Sequence, residues 1–245
     1  MYRLPEWPRT TSLGSPFAPR ADLIAAVPCL LGRYRSRVRR YAAVVLAGGA
    51  ARRMDGVDKP ARPVGGRPMR DRVLAAVADA APRILVGPAA GVPADVLITR
   101  ESPPGGGPVA AAAAGLDRLP ADVDLVALLA ADLPLLTPDA VRELLAQLDG
   151  EWGGGQPTAD PGEIDGVCFV DDTGRRQQLC GVWRVTSLRA AFTRLVTQRP
   201  LAGASLRALL HGSAVREVPW RGEGPPPWFD CDTDEDLRRA EEWVR

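Results

Sequence analysis

The chain has 245 residues, of which 46% are hydrophobic, so it can bury one sizeable core and one main domain is expected. Residues 1–40 carry eight Arg against two acidic residues, whereas residues 41–245 carry 23 Lys and Arg against 28 Asp and Glu, a balance of −5. An acidic main domain argues against nucleic-acid binding, and no apolar run reaches the roughly 18 residues of a membrane span, so we expect a soluble, cytoplasmic protein.

The first 40 residues are predicted to be an Arg-rich leader with little order of its own, followed by a single domain over residues 41–245. The alternating arginines of residues 33–40 could instead form a basic arm for an anionic partner. Disorder concentrates at chain termini, which favours the first interpretation.

Hydrophobic periodicity and turn residues predict the elements of residues 41–245. In chain order these are strand 41–46, helix 69–80, strands 83–86 and 96–98, helix 108–119, strand 124–129, helix 138–148, strands 166–170 and 177–185, helices 187–198 and 204–211, strands 215–219 and 228–231, and a final helix capped by Thr233 with Asp236 in the capping-box position. The first strands are continuous apolar runs, typical of buried parallel strands. Their alternation with helices predicts a doubly wound α/β sheet.

Residue types that are rare in this chain narrow the possible chemistry. Lys59 is the only lysine among 31 basic residues, and there is no Asn, which indicates a strong bias in composition. Under such a bias a surface Lys is replaced by Arg without cost. A lysine that persists alone therefore points to a chemical role. The four Cys have no CxxC spacing and the only histidine is His211, so a zinc site is not expected.

The segment LAGGAARRMDGVDKP, residues 46–60, directly follows the first predicted strand. Ligands of open α/β sheets bind at the carboxyl ends of the strands. The glycine pair Gly48-Gly49 would let backbone N–H groups approach phosphate oxygens, and Arg53 and Lys59 would add positive charge. The segment is neither a dinucleotide fingerprint nor a P-loop. As a loop residue, Lys59 is expected to bury little surface.

Acidic residues follow two other predicted strands. Asp132, in the sequence ADLPLL, comes after strand 124–129, and Asp230 and Asp232 lie in WFDCDTDEDL, around the end of strand 228–231. An Asp after a strand is often only a turn or cap residue, but its carboxylate is also a hard oxygen donor that suits Mg²⁺. The open-sheet rule brings Asp132 and Asp232 to the same crevice.

Taken together, LAGG…RM…DK and the D-x-P motif at Asp132 resemble the signature of the nucleotidyltransferases related to the molybdenum-cofactor guanylyltransferases, the MobA-like family. The segment from Glu101 to Val109 resembles the family's G-P-L-A-G-like segment loosely, with Glu101 near the place where Asp is usual. Asp230 and Asp232 replace two Asn of a late N-x-N-T-P-E-D-L segment. The resemblance covers residues 41–245 and implies a Rossmann-like, three-layer α/β/α nucleotidyltransferase fold with a mostly parallel sheet.

The resemblance also implies a role for each matched residue. Lys59, Arg53 and Asp132 are expected to be catalytic, and Asp132 is expected to hold Mg²⁺. Asp230 and Asp232 are expected to contact the acceptor, with a metal-ligand role for Asp232 as the alternative. The nucleotide is expected to contact Leu46, Ala47, Gly48, Gly49, Lys59, Glu101, Gly107 and Asp132.

The reaction that the resemblance implies is transfer of GMP from Mg–GTP to the phosphate of a molybdopterin-type cofactor, with release of pyrophosphate. Other proteins of the molybdenum-cofactor pathway are the protein partners it suggests. A nearer alternative is another base or acceptor, as in a cytidylyltransferase for the same cofactor or a sugar-1-phosphate enzyme. A farther alternative is a catalytically silent nucleotide-binding module, against which intact Lys59 and Asp132 argue.

Overall fold

The computed structural model describes residues 40–48, 59–88, 90–149 and 164–245. The chain divides into two units, Met1–Val38 and Arg39–Arg245, and all described residues belong to the second. The predicted leader, apart from Arg40, therefore lies outside the described residues, as do Gly49 and Arg53.

Seven strands of the described residues form one sheet in the order β5-β4-β1-β6-β8-β7-β9, and β2 pairs with β3 in a separate antiparallel hairpin. The bounds are β1 Tyr41–Leu46, β2 Pro63–Val64, β3 Arg67–Pro68, β4 Arg83–Val86, β5 Val96–Thr99, β6 Leu125–Ala130, β7 Gly166–Val170, β8 Arg176–Arg184 and β9 Val215–Pro219. Strand β8 runs antiparallel to both of its neighbours, and the other pairs in this sheet are parallel.

The helices that the structure describes connect these strands. They are α1 Met69–Ala76, α2 Gly107–Leu116, α3 Pro138–Asp149, α4 Val185–Gln198, α5 Leu206–Leu209 and α6 Asp234–Val244, with a 3₁₀ turn at Lys59–Ala61. None of them is both long enough and apolar enough to span a bilayer.

The core lies on both faces of the sheet because alternate residues of a strand point in opposite directions. In β1, Ala43 and Val45 join the cluster with α1 and α3, whereas Ala42 and Val44 join the cluster with α2, α4 and α5. A Cβ atom on Gly115 of α2 would collide with the Val44 side chain, so the missing side chain lets α2 lie directly on β1. The predicted three-layer α/β fold with a mostly parallel sheet is thus confirmed.

Helix α6 belongs to a smaller third cluster of buried residues. Leu237 and Ala240 of α6 pack with Val64, Met69 and other buried residues there. The cluster therefore joins the chain after the last strand to the hairpin that follows the 3₁₀ turn.

Several predicted elements differ from the structure: helix 108–119 ends at Leu116, helix 204–211 is reduced to Leu206–Leu209, and two others differ for identifiable reasons. The predicted helix 69–80 ends at Ala76, because residues 77–79 turn so that the Ala81 N–H can donate to the Tyr41 carbonyl at 2.9 Å. The predicted strand 228–231 is wrong, since this segment is irregular. Its Cys231 N–H donates to the Asp132 carbonyl at 3.3 Å, so it pairs with the loop after β6 instead of extending the sheet.

Candidate functional site

The carboxyl ends of three parallel strands meet where the predicted phosphate-binding loop begins. The Ala131 N–H donates to the Leu46 carbonyl at 3.0 Å, and the Ala47 N–H donates to the Val86 carbonyl at 2.9 Å. These bonds fix the end of β1 between β4 and β6. The backbone at Leu46, Ala47 and Gly48 therefore leaves the sheet in a fixed direction.

Lys59 lies at the centre of the site. Its Nζ donates to Asp132 Oδ2 at 2.6 Å and to Asp232 Oδ1 at 2.7 Å. The lysine is 4% exposed, so the expectation that it buries little surface is wrong. The physical reason is that the 3₁₀ turn carries it beneath the two carboxylates, where its charge is compensated.

The two carboxylates reach Lys59 from different parts of the chain and differ in exposure. Asp132 follows β6, and its side chain is 21% exposed, whereas the side chain of Asp232 is 74% exposed. Asp232 is held in place because Cys231 is fully buried and Thr233 caps α6. The structure thus brings Lys59, Asp132 and Asp232 to one point, although the segment carrying Asp232 is not a strand.

Charge and burial act in opposite directions on the lysine. Burial acts to lower the pKa of Lys59, but the carboxylates of Asp132 and Asp232 outweigh it, so the pKa lies above its ordinary value of 10.5. Lys59 is therefore a fully charged ammonium at neutral pH. A neutral lysine acting as a general base does not fit this site.

Asp230 adds a third carboxylate to the same region. Desolvation, followed by the negative charges of Asp232 and Asp132, raises the pKa of Asp230 above its ordinary value, and Lys59 offsets only part of the effect. Three carboxylates and one ammonium leave the cluster with negative charge. The cluster is therefore suited to receive a further cation.

A divalent ion fits this arrangement on the chemistry of its donors. The described residues contain no group of three or more His, Cys, Asp or Glu side chains that could hold a metal. Asp132 and Asp232 nevertheless place one oxygen each on a single cationic nitrogen. Carboxylate oxygens are the ligands that Mg²⁺ prefers, and this ion usually takes only one or two of them from the protein.

Glu101 lies on the loop that leads into α2, and Gly107 is the first residue of that helix. The Gly105 N–H donates to Glu101 Oε1 at 3.0 Å, and this bond closes the loop. A Cβ atom on Gly48 would lie 3.4 Å from Glu101 Oε2, so the Glu101 carboxylate is directly beside the end of β1. Gly107 has a φ of +86°, which favours glycine at the start of α2.

A second contact near Lys59 could not be predicted from the sequence. Arg62 pairs with Asp234, so the segments carrying Lys59 and Asp232 are joined twice. No spacing or motif signals this pair, because it depends on which distant segments meet in space.

Comparisons with known proteins show which family the chain belongs to. A family model described as the MobA-like NTP transferase domain matches residues 43–217. The molybdenum cofactor guanylyltransferase of Nitrobacter hamburgensis is 30% identical over 81% of this chain and 91% of its own length. The probable molybdenum cofactor guanylyltransferase of Haloferax mediterranei is 32% identical, but that alignment covers 46% of this chain and 57% of the relative.

Solved structures share the fold at low sequence identity. Molybdopterin-guanine dinucleotide biosynthesis protein A from Archaeoglobus fulgidus has a TM-score of 0.60 and 19% identity, covering 82% of this chain and 97% of that one. The 4-diphosphocytidyl-2C-methyl-D-erythritol synthase of Anaerococcus prevotii has a TM-score of 0.58 and 13% identity, covering 84% and 98%. Because the family model spans most of the chain and the Nitrobacter relative aligns along nearly its whole length, the chain belongs to the MobA-like NTP transferase family.

Proposed function

We propose that this protein transfers GMP from Mg–GTP to the phosphate of a molybdopterin-type cofactor and releases pyrophosphate. The observation that carries the proposal is the contact of one ammonium, Lys59, with two carboxylates at the carboxyl edge of the sheet. The choice of base and acceptor is supported by relatives that are named molybdenum cofactor guanylyltransferases.

The bond changes require charge neutralisation more than proton transfer. An oxygen of the acceptor phosphate attacks the α-phosphorus of GTP, and the bond from that phosphorus to the oxygen bridging to the β-phosphate breaks. Because a phosphate dianion is already a nucleophile, no general base is needed. Catalysis then consists of positioning and electrostatic stabilisation.

Asp132 and Asp232 are the residues that would hold Mg²⁺. When bound, the ion supplies a Lewis acid that neutralises charge on the phosphates. The two carboxylates pair with Lys59, whose ammonium, once released from them, would stabilise the departing pyrophosphate. Arg53, outside the described residues, is proposed to assist it.

The role of Asp232 is thereby reassigned within the proposal. The resemblance implies an acceptor contact, since the family has Asn at this position. Its Oδ1, however, contacts the same nitrogen as Asp132 Oδ2, which favours a shared metal-holding role. Asp230 keeps the proposed acceptor contact.

A cytidylyltransferase is the second candidate function, because of the side chain that lies beside Gly48. Glu101 is longer than the Asp that is usual in the family, and its carboxylate lies directly against Gly48. A longer acidic side chain at this place changes the space left for the base. CTP therefore belongs in the test beside GTP.

The test is a pyrophosphate-release assay with full-length protein, Mg²⁺ and molybdopterin, given GTP, CTP or ATP in separate reactions. Mass spectrometry of the pterin product identifies the nucleotide transferred. We expect the guanine dinucleotide with GTP, and turnover with CTP alone would instead support the second candidate. No release of pyrophosphate with any of the three nucleotides would contradict the proposed activity.

A further inference from the structure

A groove of about 740 Å³ lies between α4 and α5 and shares no lining residue with the Lys59 site. Its walls carry three arginines, Arg194, Arg199 and Arg207, together with His211. Ligand pockets for small molecules span about 300–1,000 Å³, so the groove has room for more than a single ion.

The charge of the groove is unbalanced. No Asp or Glu is among its lining residues, although residues 41–245 have an excess of acidic side chains. Within the part of the chain that the structure describes, Arg194, Arg199 and Arg207 make no ion pair, whereas Arg83 pairs with Asp95 and Arg176 with Glu217. All three arginines are exposed, so an anion can reach their guanidinium groups from solvent, and no acidic side chain of the lining competes for them.

The groove is also preorganised, in that its side chains are held in place before any ligand binds. Arg194 Nη2 donates to the His211 carbonyl at 3.5 Å, which directs this side chain across the groove from α4. Leu195 and Leu209 are buried, so their surface makes a rigid apolar floor. Ser205 accepts a bond from the Ala208 N–H, so its hydroxyl hydrogen is free to donate to a ligand.

The loop that carries Arg199 and Ser205 touches the turn before α2. The Gly203 N–H of this loop donates to the Gly106 carbonyl at 2.8 Å. Gly106 directly precedes Gly107, one of the residues expected to contact the nucleotide. The groove is therefore a neighbour of the proposed nucleotide site without being part of it.

We propose that this groove is a second binding site that takes a small phosphorylated ligand. Guanidinium groups match phosphate oxygens with planar pairs of donors, which suits Arg194, Arg199 and Arg207. The apolar floor suits a ring or hydrocarbon attached to the phosphates. The site is independent of the reaction proposed above, and its ligand is bound without a metal ion.

Isothermal titration of pyrophosphate into the full chain tests the proposal, in EDTA so that metal-dependent binding elsewhere is suppressed. The test variant is Arg194→Gln with Arg207→Gln. The matched control is Arg175→Gln with Arg189→Gln, which removes the same charge from exposed positions outside the groove. We expect the test variant to bind pyrophosphate about tenfold or more weakly, and the control to bind like the unaltered protein.

Two further arms separate the sources of binding. In the first, ADP is titrated in place of pyrophosphate. Tighter binding of ADP than of pyrophosphate would show that the apolar floor also contacts the base, and equal binding would show that the groove binds the phosphates alone. The Lys59→Met variant should bind pyrophosphate normally in EDTA. Equal pyrophosphate binding by the test variant and the control, absence of binding in the unaltered protein, or loss of binding in Lys59→Met would each overturn the proposal.

Discussion

At the scale of single residues, the site depends on one buried cation that holds two carboxylates together. Lys59 compensates the charges of Asp132 and Asp232, and in the proposed reaction it stabilises the departing pyrophosphate. Removing its charge therefore has a structural and a kinetic consequence. The two can be measured separately.

Lys59→Met is expected to lower turnover by about two to three orders of magnitude, comparable to the loss of one preorganised electrostatic donor. It should also lower the free energy of unfolding in EDTA by about 1–3 kcal/mol, because Asp132 and Asp232 lose the ammonium that separates their charges. Steady-state kinetics and urea unfolding measure the two effects. Lys59→Arg, the control that keeps the charge, should recover stability better than turnover. Unchanged turnover in the Met variant would remove Lys59 from the mechanism.

Asp232→Asn tests the assignment of this carboxylate to the metal. Asn keeps the shape and one oxygen but loses the charge, so we expect a severe loss of activity that higher Mg²⁺ partly restores. Asp230→Asn, which removes one charge from the same cluster, is the matched control, and its Mg²⁺ dependence should shift less than that of Asp232→Asn. The measurement is the activity of each variant and of the unaltered protein as a function of Mg²⁺ concentration. A mild effect of Asp232→Asn without magnesium rescue would return Asp232 to the acceptor.

The stability that Lys59 contributes should depend on alkaline pH. Its pKa in the folded protein lies above the ordinary value of 10.5, so its contribution is complete below pH 10.5 and is lost as the pH rises through the folded pKa. The difference in unfolding free energy between the unaltered protein and Lys59→Met should therefore be constant from about pH 7 to 9 and shrink above pH 10.5. A difference that grows with alkaline pH would contradict this sign.

At the scale of elements, the start of α6 positions one side of the site. Thr233 accepts a bond from the Asp236 N–H, and Asp236 in turn accepts one from the Thr233 N–H, so the capping box is present. It directly follows Asp232 and is reinforced by the pair of Arg62 with Asp234. The helix start therefore acts on the site through the position of Asp232.

Thr233→Ala should lower the free energy of unfolding by about 0.5–2 kcal/mol, the usual cost of losing an N-cap side chain. Because Asp232 is then held less firmly, the concentration of Mg²⁺ needed for half-maximal activity should also rise. Thr186→Ala, at an exposed position in the first turn of α4 and not at its N-cap, is the control and should change neither quantity. If Thr233→Ala is as stable as the control in urea, the cap does not anchor this helix.

At the scale of the whole molecule, the pairing of β1 is complete within the described residues. It bonds to β4 on one side and to β6 on the other, and its Tyr41 hydroxyl donates to Asp79. The central part of the sheet thus needs no partner strand from before residue 40.

Deletion of residues 1–38 should therefore leave the thermal midpoint of residues 39–245 nearly unchanged, and GTP affinity as well. Differential scanning calorimetry and a nucleotide-binding titration check the two quantities against the full chain. A large fall in either would show that the Arg-rich segment contributes to the domain or its site.

The sequence by itself determined the fold class and the main residues of the candidate site. Continuous apolar runs such as 41–46 identify buried parallel strands. Because ligands bind at the carboxyl ends of such strands, Lys59 and Asp132 are predicted to lie at the binding site. The capping box at Thr233 could also be predicted from the sequence, because it depends on two residues that are three positions apart. These features are local, so the order of residues is enough to predict them.

The tertiary structure alone decided how distant segments meet. It placed Lys59 beneath two carboxylates, joined Arg62 to Asp234, and made residues 228–231 an irregular segment bonded to the loop after β6. It also gathered Arg194 and Arg207 around one groove. Burial and ion pairing between residues that are tens of positions apart depend on the packing of whole elements. A sequence pattern does not give the distance in space between such residues.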